Sequence, residues 1–210
     1  MLTVHHLGIS QSERIVWLCE ELGIDYRLKR YERREDNRLA PDDYKALHPM
    51  GIAPVITDGD LVLGESGAIC EYIDQKYGNR QLSPGPADPD FADHLFWFHW
   101  SNGTFMATLL MQLAVTFAGG DPAAGFVGER ARISWELIEQ RLGQAPYFGG
   151  RNLTTADIMM VYSLTTARAF RNASIDAFPN VRAYLARIGE RPAYRIAMAK
   201  AEPGMEPYLT

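Results

Sequence analysis

Two serines, Ser10 and Ser12, lie where the first predicted helix begins, and they are the side chains best placed to act on a thiol. The N-terminus of a helix is electropositive, and a hydroxyl there can hydrogen-bond a thiolate and lower a thiol pKa from about 8.5 towards neutrality. The alternative is that each serine only caps the helix. We assign Ser12 to the cap; for Ser10, taken alone, the two interpretations are evenly balanced.

A second group of signals lies between Ala53 and Ser66. A cis peptide before Pro54, the one common setting for such a bond, would turn the main chain of Ala53 outward to pair with an extended peptide ligand. Glu65 and Ser66 come where another helix begins, and a hydroxyl and an amide at a helix N-terminus bind a carboxylate. In isolation this pair would be an ordinary cap. With Pro54 and Ser10 on the same unit, it predicts a site for a peptide-like ligand that carries a carboxylate.

The sequence lacks the motifs of several other chemistries. The first strand–helix turn has no Gly-x-Gly-x-x-Gly pattern for a dinucleotide and no Cys-x-x-Cys pair for thioredoxin-type redox exchange. A Gly-x-Ser-x-Gly elbow for a serine hydrolase is also missing. Among the five histidines, His5 and His6 should point to opposite faces of a strand, and His94 and His99 are five residues apart. We therefore expect no metal site.

Composition predicts a soluble chain with a well-buried core. Its 210 residues are 47% hydrophobic, and the formal net charge of −5 argues against a nucleic-acid surface. Only two cysteines are present, each in a predicted helix, and no secretory signal is visible, so we expect a cytoplasmic location. The uncharged stretch from Leu95 to Gly120 is long enough to span a bilayer. Because it contains His99, Asn102 and Gln112, we interpret it as a helix buried in a bundle or a dimer, and not as a membrane segment.

An N-terminal unit with the predicted order β-α-β-α-β-β-α positions these residues. Its first crossover should be parallel, and the Asp58-Gly59 turn should join an antiparallel hairpin. A Pro- and Gly-rich linker follows over residues 81–88. We therefore divide the chain into an α/β domain over residues 1–80, with a mixed sheet, and an all-helical domain over residues 89–210.

The helical part carries its own start signals. Asp88 and Pro89 predict the cap and the first residue of one helix that runs to Phe117. Thr154 and Asp157 have the spacing of a capping box and open an apolar run. Further helices are predicted over residues 127–142 and after Pro179 and Pro192.

Taken in order, these motifs resemble those of the cytosolic glutathione transferases over nearly the whole chain. An opening strand with paired histidines is followed by four matching stretches. They are Ser-x-Ser-x-Arg-Ile-Val-Trp-Leu at 10–18, His-Pro-x-Gly-x-x-Pro-Val-Ile at 48–56, Glu-Ser-x-Ala-Ile at 65–69 and Leu-Thr-x-Ala-Asp-Ile-Met-Met at 153–160. Each alone is weak evidence, whereas their joint occurrence is specific.

The resemblance implies a thioredoxin-like N-terminal domain that binds glutathione, followed by an all-helical C-terminal domain. Glutathione would be a co-substrate, with no permanently bound cofactor. Ser10 matches the catalytic serine of the serine-type classes. The main chain of Ala53, beside a cis Pro54, would pair with the cysteinyl part of glutathione, and Glu65 and Ser66 would hold its γ-glutamyl end. Asp157, with Thr154 as its partner in the cap, would stabilise the C-terminal domain without a part in catalysis.

Two positions depart from the family pattern. The family often has a lysine that contacts the glycyl carboxylate of glutathione where this chain has Ile52, and Arg38 is the candidate to supply the missing charge. The helix after the linker carries Asn102-Gly103-Thr104 where this branch often has Glu-Gly-Ser. In the family the apolar co-substrate lies between the two domains. Here that implies a pocket formed by Ile9, Gly103, Met106 and Leu110.

The implied activity is transfer of the glutathione thiolate to a small apolar electrophile, a detoxifying conjugation. Two alternatives on the same fold remain: glutathione-dependent reduction of peroxides or disulfides, and a non-catalytic module that binds glutathione conjugates or another protein. Family members are usually dimers. The stretch Leu95–Gly120 has apolar residues on every helix face, more than one exposed helix can leave in water, and so also predicts a homodimer.

Overall fold

A four-stranded mixed sheet in the order β2-β1-β3-β4 forms the N-terminal part of the protein. The computed structural model describes residues 1–169 and 173–210. Its strands are β1 (Leu2–Leu7), β2 (Arg27–Tyr31), β3 (Val55–Asp58) and β4 (Leu61–Gly64). β2 runs parallel to β1, β3 runs antiparallel to β1, and β4 runs antiparallel to β3. The mixed sheet predicted from the order of the elements is therefore confirmed.

Three helices accompany the sheet: α1 (Glu13–Leu22), α2 (Asp42–Lys45) and α3 (Ser66–Lys76). α1 is buried along most of its length because it packs against α3 and the helical domain as well as against β1. It ends at Gly23, whose φ of 61° is a left-handed conformation that glycine adopts without steric cost.

The remaining elements are helical. They are α4 (Phe91–Trp100), α5 (Ala107–Phe117), α6 (Gly125–Gln144), α7 (Thr155–Leu164), α8 (Thr166–Ala169), α9 (Pro179–Gly189) and α10 (Pro192–Ala201). Every residue of α7 is buried, because α4, α1 and α3 all pack against it. This central helix explains why the apolar run after Thr154 shows no polar face. No helix in the described ranges is both long and apolar enough to cross a membrane.

The single helix expected from Pro89 to Phe117 is wrong in two respects. The helix begins at Phe91, because the Asp88 carboxylate accepts a hydrogen bond from the Asp90 N–H and so closes a turn before the first helical residue. The run is then interrupted by a π-helical segment at Ser101–Met106. There the Ser101 hydroxyl donates to the Phe98 carbonyl at 2.7 Å, in competition with the backbone ladder. Such π-helical insertions are frequent at functional sites.

Asp157 ties three parts of the helical domain together. Its Oδ2 accepts from the Thr154 N–H at 2.9 Å, while the Thr154 hydroxyl accepts from the Ala156 N–H, which forms a capping box at the start of α7. Its Oδ1 accepts from the Phe148 N–H at 2.8 Å and from the Tyr184 hydroxyl at 3.0 Å. Burial raises the pKa of Asp157 to about 6, although these hydrogen bonds favour the charged form. The contacts of Asp157 with Phe148 and Tyr184 are not predictable from the capping motif.

Candidate active site

The β1–α1 turn holds the two serines side by side beneath the protein surface. Ser10 is 5% exposed, and its hydroxyl donates to the Leu7 carbonyl at 2.6 Å and lies 2.7 Å from the Ser12 hydroxyl. Ser12 occupies the N-cap position, but its side chain makes no capping hydrogen bond. Its backbone is already helical, with φ −69° and ψ −15°, so the hydroxyl points back to β1 and accepts from the Leu7 N–H at 3.1 Å. The expectation that Ser12 caps the helix with its hydroxyl is therefore wrong.

A cation fixes the shape of this turn. Ile9 has a φ of 53°, which is uncommon for a residue other than glycine. The Arg33 guanidinium donates to the carbonyls of Gly8 at 2.8 Å and Ile9 at 3.0 Å. These charge-assisted bonds stabilise the conformation that places Ser10 at the start of α1.

The predicted binding segment lies at the same end of the sheet as this turn, because β1 ends, β3 begins and β4 ends there. The peptide bond between Ala53 and Pro54 is cis, and β3 begins at the next residue. Glu65 directly precedes α3, is exposed, and has a φ of 68°. Such a backbone outlier in a non-glycine residue is typical of ligand sites. Ser66 is the first residue of α3 and is 2% exposed.

Arg14 is a site residue whose role the sequence motifs did not reveal. Its side chain is 1% exposed, and its Nη1 donates to Gln11 Oε1 at 2.6 Å, to Ser66 Oγ at 3.2 Å and to Asn102 Oδ1 at 3.0 Å. Its guanidinium carbon lies 5.2 Å from the ring centre of Tyr162. Burial lowers the pKa of Arg14 to about 10, so the group remains a cation at neutral pH. One buried charge thus joins α1, α3 and the π-helical segment.

The position of Arg14 in the sequence is a signal that it takes part in a buried polar cluster. It is a charged residue that directly precedes the buried apolar run Ile15–Cys19 of α1. A charge on a buried helix face needs hydrogen-bonding partners, so such a residue predicts a polar cluster.

Comparisons with known proteins agree with this geometry. Family models of the glutathione S-transferase N-terminal and C-terminal domains match residues 10–76 and 114–197. Glutathione S-transferase 3 of Schizosaccharomyces pombe is 31% identical over 96% of this chain and 88% of its own. The chain belongs to the glutathione S-transferase family. A glutathione S-transferase structure from Actinobacillus pleuropneumoniae is 32% identical, with a TM-score of 0.88 over 98% of this chain and 95% of that one.

A theta-class glutathione S-transferase from Xanthomonas axonopodis pv. citri, solved with glutathione bound, is also similar. It is 26% identical, with a TM-score of 0.69, and the alignment covers 93% of this chain and 96% of that one. The thioredoxin-like fold and the helical C-terminal domain of the transferase family are therefore both present in this chain.

In this transferase an apolar cavity of about 240 Å³ lies beside the β1–α1 turn. It is lined by Gln11, Met106, Leu109, Leu110, Leu113, Tyr162 and Ala167. Met106 and Leu110 were predicted to line a co-substrate pocket, and they are part of this lining. Burial raises the pKa of Tyr162 to about 12, so its phenol stays protonated at neutral pH.

Two other predicted pocket residues, Ile9 and Gly103, are not part of the lining of this cavity. Gly103 lies on an exposed side of the π-helical segment, with no atom within 4 Å of the place where a Cβ would stand. Ile9 belongs to the turn whose carbonyl is held by Arg33, and Gln11 is the residue of that turn which reaches the cavity.

The two residues proposed near the glycyl end of glutathione are both on the surface. Ile52 is 53% exposed and carries no charge. Arg38 is exposed with a φ of 61°, and its carbonyl accepts from Arg33 Nη1 at 2.9 Å. Among the described residues, its guanidinium has no hydrogen-bond partner.

Proposed function

We propose that this transferase conjugates the glutathione thiolate to small apolar electrophiles held in the cavity beside Gln11. One side chain carries the proposal. The Arg14 guanidinium donates to Ser66, at the predicted site for the γ-glutamyl end, and to Gln11, which lines the cavity. The same cation thus links the expected glutathione site to the mainly apolar pocket beside the β1–α1 turn.

In this proposal each end of glutathione has its own partners. The exposed Glu65 and the N-terminus of α3 at Ser66 hold the γ-glutamyl group, with the positive helix end matching its carboxylate. The main chain of Ala53 pairs with the cysteinyl residue. Arg38 takes the glycyl carboxylate, because Ile52 offers no charge there.

Ser10 acts on the sulfur. Its hydroxyl turns from the Leu7 carbonyl to donate to the thiolate, which lowers the thiol pKa and raises the fraction of nucleophile at neutral pH. The sulfur then forms a bond to the electrophilic carbon, and the leaving group departs with the electron pair of the bond that breaks. Holding both reactants in adjacent sites lowers the barrier further, because the encounter becomes effectively intramolecular.

We infer a cytoplasmic, detoxifying homodimer in which glutathione is a co-substrate and no cofactor is permanently bound. Large apolar side chains along α4 to α6 support the dimer, since Phe96, Phe117 and Phe126 are between 49% and 82% exposed in the single chain. Light scattering that returned 23.6 kDa, the mass of one chain, would contradict the dimer.

The decisive experiment is titration with glutathione by calorimetry, followed by an assay with a generic aryl halide. We expect saturable binding below millimolar glutathione and enzyme-dependent conjugation. Binding with turnover of peroxide or disulfide, but not of the halide, would instead favour a glutathione-dependent reductase. Binding without any turnover would favour the non-catalytic module, and no binding at millimolar glutathione would contradict all three.

A further inference from the structure

A line of buried polar contacts runs from Ser10 to Glu202, the residue that directly follows α10. Ser10 Oγ lies 2.7 Å from Ser12 Oγ, and Ser12 Oγ lies 2.9 Å from Nδ1 of His6. Nε2 of His6 lies in turn 3.0 Å from Oε1 of Glu202. None of the four side chains is more than 7% exposed. The function proposed above uses Ser10 alone and leaves the other three unexplained.

The carboxylate fixes the direction of these bonds. Oε1 of Glu202 is an acceptor, since it also receives the Ile9 N–H, so Nε2 of His6 carries a proton and donates it to Oε1. In the neutral imidazole, Nδ1 is then an acceptor, and the Ser12 hydroxyl donates to it. Ser12 Oγ accepts a hydrogen bond from the Leu7 N–H at 3.1 Å, and its second lone pair can accept one from the Ser10 hydroxyl. The chain is therefore oriented to move a proton inward, from Ser10 to His6, once the Ser10 hydroxyl turns from the Leu7 carbonyl to Ser12 Oγ.

Glu202 also holds the turn itself. Its Oε1 accepts a hydrogen bond from the Ile9 N–H, in the middle of the turn with a positive φ that presents Ser10. Glu202 directly follows α10, and α10 packs along α1, so the end of the chain is brought to the beginning of the site.

We propose that Ser12, His6 and Glu202 form a relay that receives the thiol proton of bound glutathione through Ser10; this rests on the function proposed for Ser10. The S–H bond breaks as its proton passes to Ser10 Oγ. Ser10 gives its own hydroxyl proton to Ser12, and Ser12 gives its own to Nδ1 of His6. Each serine hydroxyl gains one proton and loses one, so both remain neutral hydroxyls. The products are a thiolate and an imidazolium, and the imidazolium is paired with the Glu202 carboxylate.

The other charges around His6 are compatible with an imidazolium. On the neighbouring strand β2, Arg30 is paired with Glu32, and the Arg33 guanidinium is engaged by the carbonyls of Gly8 and Ile9. On α1, the buried carboxyl of Glu13 interacts electrostatically with Glu202. Glu202 is therefore the acidic group that pairs with the imidazolium, while Arg30 and Arg33 already have partners of their own.

The test is the pKa of the glutathione thiol bound to the full-length protein, measured from the ultraviolet absorbance of the thiolate as a function of pH. We expect His6→Asn, Glu202→Gln and Ser12→Ala each to raise this pKa by about one unit, with about a tenfold loss of kcat at neutral pH. KM for glutathione should change by less than about twofold, because none of the three residues is among the proposed glutathione contacts. Ser12→Thr, which keeps the hydroxyl, should restore the wild-type thiol pKa.

Matched controls separate the relay from general damage. His5 is the adjacent buried histidine, and it contacts Tyr31 and Thr57 instead of the turn. Glu206 is an exposed acid four residues after Glu202. His5→Asn and Glu206→Gln should leave the thiol pKa unchanged, even where His5→Asn lowers the melting temperature.

Two outcomes would overturn the relay in different ways. If folded His6, Glu202 and Ser12 variants keep the wild-type thiol pKa while Ser10→Ala raises it, the relay is wrong and the role of Ser10 stands. If Ser10→Ala also leaves the thiol pKa and turnover unchanged, the function proposed for Ser10 is wrong, and the relay is wrong with it.

Discussion

Nη1 of Arg14 donates a 3.2 Å hydrogen bond to the hydroxyl of Ser66, so one buried cation joins the start of α1 to the start of α3. Two other nitrogens of the same guanidinium, Nε and Nη2, are buried without a hydrogen-bond partner among the residues that the structure describes. A buried charge is costly unless it is hydrogen-bonded, and each acceptor that Arg14 has therefore matters for stability. Ser66 consequently serves the fold as well as the proposed ligand site.

Ser66→Ala and Glu65→Ala should weaken glutathione binding to a similar extent but should differ in their effect on the stability of the fold. Both should weaken glutathione binding by about tenfold, because each removes a ligand contact worth about 1.4 kcal/mol. Only Ser66→Ala should also lower the free energy of unfolding, by about 1–3 kcal/mol, since it removes an acceptor from Arg14. Calorimetric titration and urea unfolding of the two variants provide the measurements. If both variants bind glutathione as tightly as the wild type, Glu65 and Ser66 only form the start of α3 and do not bind the ligand.

Ser10→Ala should reduce turnover with nearly unchanged affinity for glutathione. A hydrogen bond to a charged group contributes about 1.5–3 kcal/mol, which corresponds to roughly a ten- to hundredfold loss of kcat. Steady-state kinetics with an aryl halide, together with calorimetric affinity for glutathione, check both halves of the prediction. Turnover within about twofold of the wild type would show that the hydroxyl only stabilises the turn through Leu7.

The sequence predicts the sheet and the family well because these depend on local signals. Pro54, the β-branched run that follows it and the Asp58-Gly59 turn act within a few residues, and the observed hairpin and mixed sheet agree with them. The capping spacing of Thr154 and Asp157 is equally local, and the structure contains that capping box.

The network around the site could not be predicted in the same way. The contact between His6 and Glu202 spans 196 residues, and that between Arg14 and Asn102 spans 88. Nothing in a short window of sequence distinguishes a histidine that meets a distant carboxylate from one packed in the core. The π-helical segment at Ser101–Met106 was missed for a related reason, since a helical periodicity does not reveal a local change of hydrogen-bond pattern.

Glu13 should make the stability of the protein depend on pH. It is 3% exposed, its Oε2 accepts from the Thr166 hydroxyl at 2.7 Å, and burial raises its pKa from an ordinary 4.5 to about 8. The folded state therefore binds this proton more tightly than the unfolded state does. The resulting stabilisation is complete below the unfolded pKa and is lost as the pH rises towards 8.

The measurement is urea unfolding of the wild type and Glu13→Gln between about pH 5 and pH 8. Gln keeps an acceptor for Thr166 but cannot ionise. The wild type should lose stability relative to Glu13→Gln as the pH rises, with a slope of at most about 1.4 kcal/mol per pH unit. Comparing the two proteins cancels the titration of Asp157 and His94, whose pKa values are also shifted by burial. A constant difference across this range would contradict the shifted pKa of Glu13.

Asp157→Ala should be the more damaging of two substitutions in the helical domain. It removes the acceptor of two backbone N–H groups, at Phe148 and Thr154, and of the Tyr184 hydroxyl, all of them buried. Losing a cap and leaving several buried donors unpaired should cost more than about 2 kcal/mol, or at least about 4 °C in melting temperature. Tyr184→Phe is the matched control, because it removes one donor and leaves the capping box intact, at a cost of about 1 kcal/mol. Thermal unfolding of both variants is the test, and equal losses would show that the capping box contributes little beyond the contact with α9.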